Sequence, residues 1–490
     1  MPPASARPVI PGFHPDPSVC RVGDDFYLVN SSFEYAPGVP IFHSRDLVSW
    51  EQIGNVLDRP GQLDVSTSGP SGGIFAPTIR HAQGRFWMIT TNWFDGGGHL
   101  IVWAERPEGP WSDPVRIPSL RGIDPDLAWE DDGTCLMTYT GQSDLGAGIH
   151  QCIIDAETGS VLDGPWRLWS GTGGKFPEGP HVYRIGEHWY LLIAEGGTER
   201  GHSVSIARGP SARGPFEGGP GNPILTARGT DLPVQSVGHA DLVERPDGTW
   251  AMVYHGTRPR GGSPEWHVLG RETFAAEVAW EDGWPVVGEP IEPAIGDAPV
   301  VDELASGGLG SQWCVASHHP SRVLRSDHDV WRLAAGAAPV FVGRRQEHAH
   351  ITVVAALDVP SGSMGALSLR IDPRHAVEVE SDGATARAVW AIGDVRHVLG
   401  EHRIGSGDEL AIEVRPAEGE VFSTERGPDV IAAQVITADG ATVDLGRIDG
   451  RYVSTEVAGG MTGRMAGVVA VRGDVAIRAL RYTGTDTPPS

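Results

Sequence analysis

Three carboxylic acid residues occupy similar settings in the first half of the chain. Asp16 lies in FHPDPS, Asp124 in GIDPDL and Glu178 in PEGPH. A set of carboxyl groups suits glycoside hydrolysis, in which one carboxylic acid protonates the leaving oxygen and one carboxylate activates a water molecule. An aspartate before proline, as at Asp16 and Asp124, also commonly caps a turn, and Glu178 could be an ordinary loop acid, so each residue alone is weak evidence for chemistry. Because the three residues share this setting, we expect equivalent structural elements to position them.

The three residues belong to a repeat. Each repeat has an alternating apolar run, a polar turn and a strand rich in aromatic and branched residues, which is typical of a β-hairpin. Repeats of about 40–60 residues with four short strands are typical of β-propeller blades. The sequence therefore predicts an all-β fold with a five-bladed β-propeller, against the alternative of a β-sandwich array with chance similarity. The five repeats begin at Asp16, Ala76, Asp124, Glu178 and His239.

A second domain is predicted after the propeller. The segment near residue 290 is rich in proline, glycine and acidic residues, as linkers often are. Beyond it, runs such as HAHITVVAALDV and HAVEVESDG alternate apolar and polar residues between turns, which favours a jelly-roll-like β-sandwich. We expect a catalytic propeller over residues 1–295 and a sandwich over residues 296–490.

Equivalent positions of all blades meet at one end of a propeller's central channel. Alignment of the repeats as above brings Asp16, Asp124, Glu178 and His239 to one small cavity. Like charges crowded together cannot all ionise easily, so we expect a raised pKa for at least one of these carboxyl groups. A third carboxylate can then hold the acid in the required state and orientation.

Other candidate residues have two interpretations each. His239 is either a hydrogen-bonded core histidine or part of the channel floor, where a hydrated cation could bind. Arg271, in LGRETF, is either an ion-pair partner or a donor to substrate hydroxyls. Phe33, Phe75 and Trp93 either wall a sugar-binding pocket or belong to the core.

The amino-acid composition restricts the classes of molecule that the protein can bind. The net charge of −25 argues against nucleic acid and anionic membranes, whereas a neutral sugar is compatible with it, and the acidity alone also favours solubility. No apolar run is long enough to span a membrane, and MPPASARPVI lacks the apolar stretch of a signal peptide, so we expect a cytoplasmic protein. Four cysteines without CxxC spacing argue against a disulfide framework or a zinc site.

Across residues 8–290 the chain resembles glycoside hydrolase family 43, in the β-xylosidase and α-L-arabinofuranosidase branch with an extra β-sandwich. The resemblance rests on PVIPGFHPDPSVCRVGDDFYLV, SGGIFAPTIR, GIDPDLAWEDDG, PEGPHVYRIGEHWYLLIAEGGTERGH, VGHADLVERPDGTW and LGRETF. DLGRIDGRYVSTEVAGGMTGRMAGVVAV is similar to the family's C-terminal domain. Together these motifs are specific, although each alone is not.

The resemblance implies a five-bladed propeller and an inverting mechanism. It makes Asp16 the general base and Glu178 the general acid, with Asp124 tuning the pKa of the acid and orienting it. It further implies that Arg271 contacts the substrate and that Phe33 lines the pocket. In an inverting enzyme we expect the Asp16 and Glu178 carboxyl groups to lie roughly 6.5–9.5 Å apart, leaving room for a water.

We therefore expect an exo-acting enzyme that removes terminal β-D-xylose from xylo-oligosaccharides. Phe75 stands where related β-xylosidases have Trp in a WAP motif, so an α-L-arabinofuranosidase, or an enzyme with both activities, is the alternative. A non-catalytic sugar-binding propeller and a protein-interaction propeller are alternatives of other classes. We expect a small oligosaccharide as the partner and no required cofactor. A structural calcium ion near His239 and a homo-oligomer are further candidates.

Overall fold

The computed structural model of the chain describes residues 7–93, 98–143, 145–294, 299–304, 308–328, 330–419 and 423–486. These residues form almost only β-strands. The helices among them are α1 (Pro320–Val323), α2 (Thr455–Ala458) and a 3-10 turn at Gly450–Val453. None of these helical segments is long enough to cross a membrane.

The described residues form two compact units. The first contains the residues up to Ile10, His14–Arg258 and Glu272–Pro293. The second contains the residues from Ala294 onward and two short segments, Pro11–Phe13 and Pro259–Arg271. The predicted division between residues 295 and 296 places both short segments in the propeller domain, and that division stays a prediction.

In the first unit, five antiparallel sheets follow one another along the chain, and the strands of each sheet pair in the order in which they occur in the sequence. The first sheet contains β1 (Ser18–Val22), β2 (Asp25–Val29), β4 (Gly38–Ser44) and β5 (Glu51–Leu57), with β3 (Tyr35–Ala36) preceding β4 in sequence. The second contains β6 (Thr78–Ala82), β7 (Arg85–Asn92), β8 (Gly98–Ala104) and β9 (Val115–Ile117). The third contains β10 (Gly122–Trp129), β11 (Cys135–Ser143), β12 (Gly146–Asp155) and β13 (Ser160–Trp169).

The remaining two sheets of this unit have the same plan. The fourth contains β14 (Glu178–Ile185), β15 (His188–Glu195), β16 (Ser203–Gly209) and β17 (Glu217–Gly218), with β18 (Leu225–Thr226) also paired to β16. The fifth contains β19 (Gln235–Glu244), β20 (Trp250–Thr257), β21 (Glu272–Glu281) and β22 (Trp284–Ile291). Each predicted hairpin forms the first two strands of one sheet.

Apolar clusters between neighbouring sheets hold the ring together. Five clusters of buried side chains lie between consecutive sheets, including one between the fifth and the first. In that closing cluster, Phe26 and Leu28 of the first sheet lie with Val253 and Ala275 of the fifth. The first strands of the sheets, β1, β6, β10, β14 and β19, neighbour one another around the centre. The predicted five-bladed β-propeller is thus confirmed.

The second unit is a β-sandwich, as predicted. Residues such as Val353 and Ile412 of one sheet and Leu367 and Val379 of the other share a single buried core. One sheet has the order β25 (Leu324–Asp327), β26 (Val330–Ala334), β37 (Asp474–Thr485), β28 (His350–Asp358), β33 (Glu409–Pro416), β34 (Asp429–Ile436) and β35 (Thr442–Asp449), with β23 (Val300–Glu303) also paired to β37. The other has the order β24 (Trp313–Ala316), β27 (Val340–Arg345), β36 (Met465–Arg472), β29 (Met364–Asp372), β30 (His375–Ser381), β31 (Thr385–Ile392) and β32 (Val395–Arg403).

Candidate active site

Three of the innermost propeller strands share an irregularity near their start. Their pairing with the second strand shifts register within Ile123–Asp126 of β10, Glu178–His181 of β14 and Gly238–Asp241 of β19. Such bulges re-aim side chains and are frequent next to active sites. Each shift contains one residue with a left-handed backbone, namely Asp124 (φ 54°), Gly179 (φ 57°) and His239 (φ 45°).

This shared geometry corrects the alignment of the repeats. Asp16 has the same left-handed backbone, with φ 54°, just before β1. It therefore corresponds to Asp124, Gly179 and His239, whereas Glu178 precedes that position by one residue. The prediction that Glu178 stands at the same phase as the aspartates is wrong. Gly179 stands three residues before the buried Val182, as the aspartates stand three residues before a buried apolar residue of their own strands. Glu178 still begins β14, where it is half-buried.

Asp16 is buried and surrounded by polar groups. The hydroxyl of Ser31 donates a hydrogen bond of 2.5 Å to its Oδ2. Nδ1 of His255 lies 3.1 Å from its Oδ1, and Nδ1 of His239 lies 3.5 Å from the same oxygen. The backbone N–H of Asp16 also donates to Nδ1 of His255, at 3.2 Å. These contacts restrain the carboxylate from two blades, as a catalytic base requires.

Gly179 links the other two carboxylic acid residues. Its backbone N–H donates a hydrogen bond of 3.2 Å to Oδ2 of the buried Asp124. A Cβ on Gly179 would lie 2.9 Å from Nε2 of His239, so the imidazole packs directly against the glycine backbone. A chain of contacts thus runs from Asp124 through the residue after Glu178 to His239 and Asp16. The structure thus connects Asp16, Asp124 and His239 through the backbone next to Glu178.

A group of histidines borders this cluster. The rings of His202 and His255 stack at 5.1 Å, and the rings of His239 and His255 lie 5.7 Å apart. Asp16, His239 and His255 offer one oxygen and two nitrogen atoms within 4.8 Å of one another. Calcium takes about six to eight oxygen ligands, of which this set supplies one, so the candidate calcium ion stays a prediction.

A network of charged side chains lies next to this cluster, further along the same strands. Arg80 contacts Oδ1 of Asp126 and Oδ2 of Asp241, both at 2.8 Å, and both carboxylates are fully buried. The Arg80 guanidinium also lies 2.9 Å from Nδ1 of His181. Burial opposes ionisation of Asp241, but the attraction of Arg80 outweighs it and holds the pKa of Asp241 well below its usual value. The hydroxyl of Tyr183 donates a further hydrogen bond to Asp241.

The predicted aromatic residues contact one another in a row. The rings of Phe33 and Phe75 lie 5.5 Å apart, and those of Phe75 and Trp93 stack at 5.8 Å. Phe33 is buried, Phe75 is half-buried and Trp93 is 49% exposed. The row therefore leads from the interior of the propeller unit to solvent, and its faces suit the apolar side of a sugar ring.

Arg271 belongs to the second unit. It is buried, and its guanidinium donates a hydrogen bond of 3.5 Å to the carbonyl of Met461 in the same unit. Its predicted contact with substrate stays a prediction.

Sequence reasoning missed Ser31, Glu195 and His255. Ser31 and His255 contact Asp16 as described, and Glu195 accepts hydrogen bonds from the loop that leads to Glu178. Ser31 lies two residues beyond the end of β2, His255 lies two residues before the end of β20, and Glu195 ends β15. Antiparallel pairing places that end beside the start of the first strand, which is the signal that could have identified them.

The propeller and its buried carboxylate cluster define the class of protein as a glycoside hydrolase. The family described as Glycosyl hydrolases family 43 matches residues 5–285. The chain is 36% identical to the Non-reducing end alpha-L-arabinofuranosidase BoGH43B of Bacteroides ovatus, over 95% of this chain and 90% of that protein. It is 32% identical to the Xylosidase/arabinosidase 43B of Humicola insolens, over 96% and 94% of the two chains.

The structural comparison agrees with these similarities. The solved structure titled "Bacteroides ovatus Xyloglucan PUL GH43B" superposes with a TM-score of 0.86 at 32% identity, covering 97% of this chain and 99% of that chain. The chain belongs to glycosyl hydrolase family 43. The resemblance drawn from the sequence motifs is confirmed.

Proposed function

We propose that this glycoside hydrolase removes terminal pentoses, β-D-xylose above all, from small plant-cell-wall oligosaccharides with inversion at the anomeric carbon. The observation that carries the proposal is the contact chain from Asp124 through Gly179 and His239 to Asp16. A restrained carboxylate, a second buried acid and the residue next to the half-buried Glu178 take part in that chain, which supports the proposal. This is the composition that acid–base hydrolysis of a glycoside needs.

Each of the three acids has a separate role in the proposed reaction. Asp16 takes a proton from water while the water oxygen forms its bond to the anomeric carbon. The bond from that carbon to the glycosidic oxygen breaks, and Glu178 gives its proton to the departing oxygen. Asp124 acts through the Gly179 N–H, which orients the segment carrying Glu178. After the products leave, one proton moves from Asp16 to Glu178. This transfer restores the starting protonation of both residues.

Release of α-L-arabinofuranose is the second candidate activity. The Bacteroides ovatus relative, similar over 95% of this chain, carries that name, and the Humicola insolens relative is named for both sugars. Phe75 is consistent with this alternative, because a phenyl ring here occupies the place of the larger indole of related β-xylosidases. The two sugars present similar hydroxyl patterns, so one pocket can accept both.

Further contacts with the sugar belong to the same proposal. Phe33 and Phe75 form the apolar wall of the pocket, and the contact of Arg271 with sugar hydroxyls stays a prediction. Cytoplasmic location, homo-oligomer formation and action on imported oligosaccharides stay predictions.

The experiment compares hydrolysis of para-nitrophenyl β-D-xylopyranoside and para-nitrophenyl α-L-arabinofuranoside by the wild-type enzyme and Glu178→Ala. We expect cleavage of one or both substrates and a loss of about 10²–10⁴ in the variant. Proton NMR of the first-formed sugar identifies the anomer, and inversion is the expected result. Hydrolysis of neither glycoside contradicts the pentosidase assignment, and full activity of Glu178→Ala contradicts the acid assignment.

A further inference from the structure

Phe176 presents an aromatic ring to solvent beside Glu178. Its side chain is 65% exposed, and it lies two residues before Glu178. Its backbone has φ 52°, a left-handed conformation that is costly for a bulky residue and more so directly before a proline, here Pro177. Such strain persists only where the surroundings impose it, and it clusters at functional sites.

A buried carboxylate, that of Glu195, holds the loop that leads to Phe176. Glu195 accepts hydrogen bonds from the N–H and the hydroxyl of Thr172, both at 2.8 Å, and from the N–H of Gly174 at 3.2 Å. Glycine allows the closest approach, because a Cβ on Gly171 would lie 2.2 Å from Oε1 of Glu195. Residues 171–176, which we name the platform loop, therefore wrap around one fixed charge.

A second loop of the same blade clamps the far end of the platform loop. The N–H of Gly196 donates to the carbonyl of Lys175 at 2.8 Å, and Nζ of Lys175 pairs with Glu199 at 2.9 Å. Gly197 lies against the edge of the Phe176 ring, since a Cβ there would lie 3.3 Å from Cδ2. The backbone under Phe176 is held on both sides while most of the ring stays exposed.

The position of Phe176 relative to Glu178 determines which part of the substrate the phenyl ring can contact. Glu178 pairs with Ala194, so the platform loop and the segment carrying Glu178 are fixed by the same hairpin. If Glu178 protonates the leaving oxygen, the departing sugar lies against this segment. Two residues of extended chain span at most about 7 Å, which is within reach of the sugar attached to that oxygen.

We propose that Phe176 is the stacking platform for the leaving-group sugar, a pyranose or furanose residue on the reducing side of the cleaved bond. The C–H face of such a ring packs on the phenyl face. Lys175, whose Nζ lies 5.7 Å from the centre of the Phe176 ring, and Glu199 supply partners for its hydroxyl groups. This proposal rests on the proposed role of Glu178 and extends it from the cleaved sugar to the sugar that departs.

The test compares Phe176→Ala and Phe176→Trp with the wild-type enzyme on whichever of 1,4-β-xylobiose and 1,5-α-arabinobiose is cleaved faster. Leu162→Ala is the matched control, because Leu162 is 64% exposed in the third blade. Inhibition by the free pentose is measured for each variant, since that sugar occupies only the pocket for the cleaved residue. Glu178→Gln is assayed in parallel, and melting temperatures verify folding.

We expect Phe176→Ala to lower kcat/KM for the disaccharide about tenfold, mainly through KM, with the pentose inhibition constant unchanged. Phe176→Trp should retain most of the wild-type value, and Leu162→Ala should retain all of it. Unchanged disaccharide kinetics in Phe176→Ala would show that Phe176 is not the stacking platform. The same conclusion would follow if pentose inhibition weakened as much as disaccharide cleavage. Loss of activity in Glu178→Gln together with unaffected Phe176→Ala refutes the platform alone, whereas an active Glu178→Gln refutes the acid assignment on which it rests.

Discussion

The backbone N–H of Gly179 donates a hydrogen bond of 3.2 Å to Oδ2 of Asp124 and thereby connects the third blade to the residue after Glu178. The same glycine has φ 57° and leaves no room for a Cβ beside His239. One small residue thus lies in contact with two of the groups that surround Glu178. Its replacement provides a direct test of how strongly the reaction depends on this arrangement.

Gly179→Ala should fold and lose about 10²-fold in kcat/KM, since a displacement of about 1 Å can cost that much. Gly186→Ala is the matched control, because Gly186 has φ 62° in the same blade and open space around a Cβ. The control carries the same backbone strain without the clash. Equal kinetics of the two variants would show that the contact with His239 is immaterial.

Glu178→Gln should depend on the leaving group. A departing sugar needs a proton, so activity on a disaccharide should fall by about 10²–10⁴, whereas a dinitrophenyl glycoside, whose leaving group needs little protonation, should lose far less. Asp16→Asn should lose activity on both substrates, because a water molecule must be activated whichever leaving group departs. Glu187→Gln, an exposed acid in the turn of the same hairpin, serves as the control. An equal loss by Glu178→Gln on both substrates would contradict its role as the acid.

Ser31→Ala should remove a contact that orients the proposed base. The hydroxyl of Ser31 donates a hydrogen bond of 2.5 Å to Asp16. We expect kcat to fall about tenfold or more, because a carboxylate displaced by about 1 Å activates water far less well. Ser32→Ala is the neighbouring control, because the hydroxyl of Ser32 accepts from Val39 N at 3.1 Å. Loss of the Ser32 hydroxyl should lower the melting temperature and leave kcat unchanged. A lower kcat in Ser32→Ala together with an unchanged kcat in Ser31→Ala would show that Ser31 has no role in the site.

Arg80→Met should destabilise the propeller in a pH-dependent way. Arg80 compensates the buried carboxylates of Asp126 and Asp241, and removal of one partner of a buried ion pair costs about 3–5 kcal/mol. The pKa of Asp241 is lowered in the folded protein, so its stabilising contribution is present above the ordinary pKa of an aspartate and is lost as the pH falls through the folded value.

The variant should therefore differ most from the wild type near neutral pH, and the difference should shrink as the pH falls and its carboxyl groups take up protons. Denaturant unfolding at several pH values measures the difference. Arg85→Met is the control, because Arg85 forms an exposed ion pair with Glu157 and should cost less than about 1 kcal/mol. A pH-independent difference would contradict the electrostatic account.

The fold was predictable because its information is local. Each blade begins with a hairpin whose apolar alternation and polar turn lie within about twenty residues, as in DPSVCRVGDDFYLVNSS. Repetition of that hairpin indicated a propeller, and the start of each repeat indicated Asp16, Asp124 and His239 as residues of one cluster. The aromatic row of Phe33, Phe75 and Trp93 followed from the same proximity to blade starts.

The tertiary structure decided what depends on contacts between distant residues. Arg80 meets Asp241 across 161 positions of sequence, and no local pattern encodes that pairing. Glu178 stands one residue before the position that Asp16 and Asp124 hold in their blades, and the left-handed backbone of Gly179, which the folded chain shows, identifies that position. The sequence by itself therefore determined the blades and the acids that they carry. Only the folded chain determined which backbone and side-chain groups hold each acid, since those groups come from the ends of other strands and from other blades.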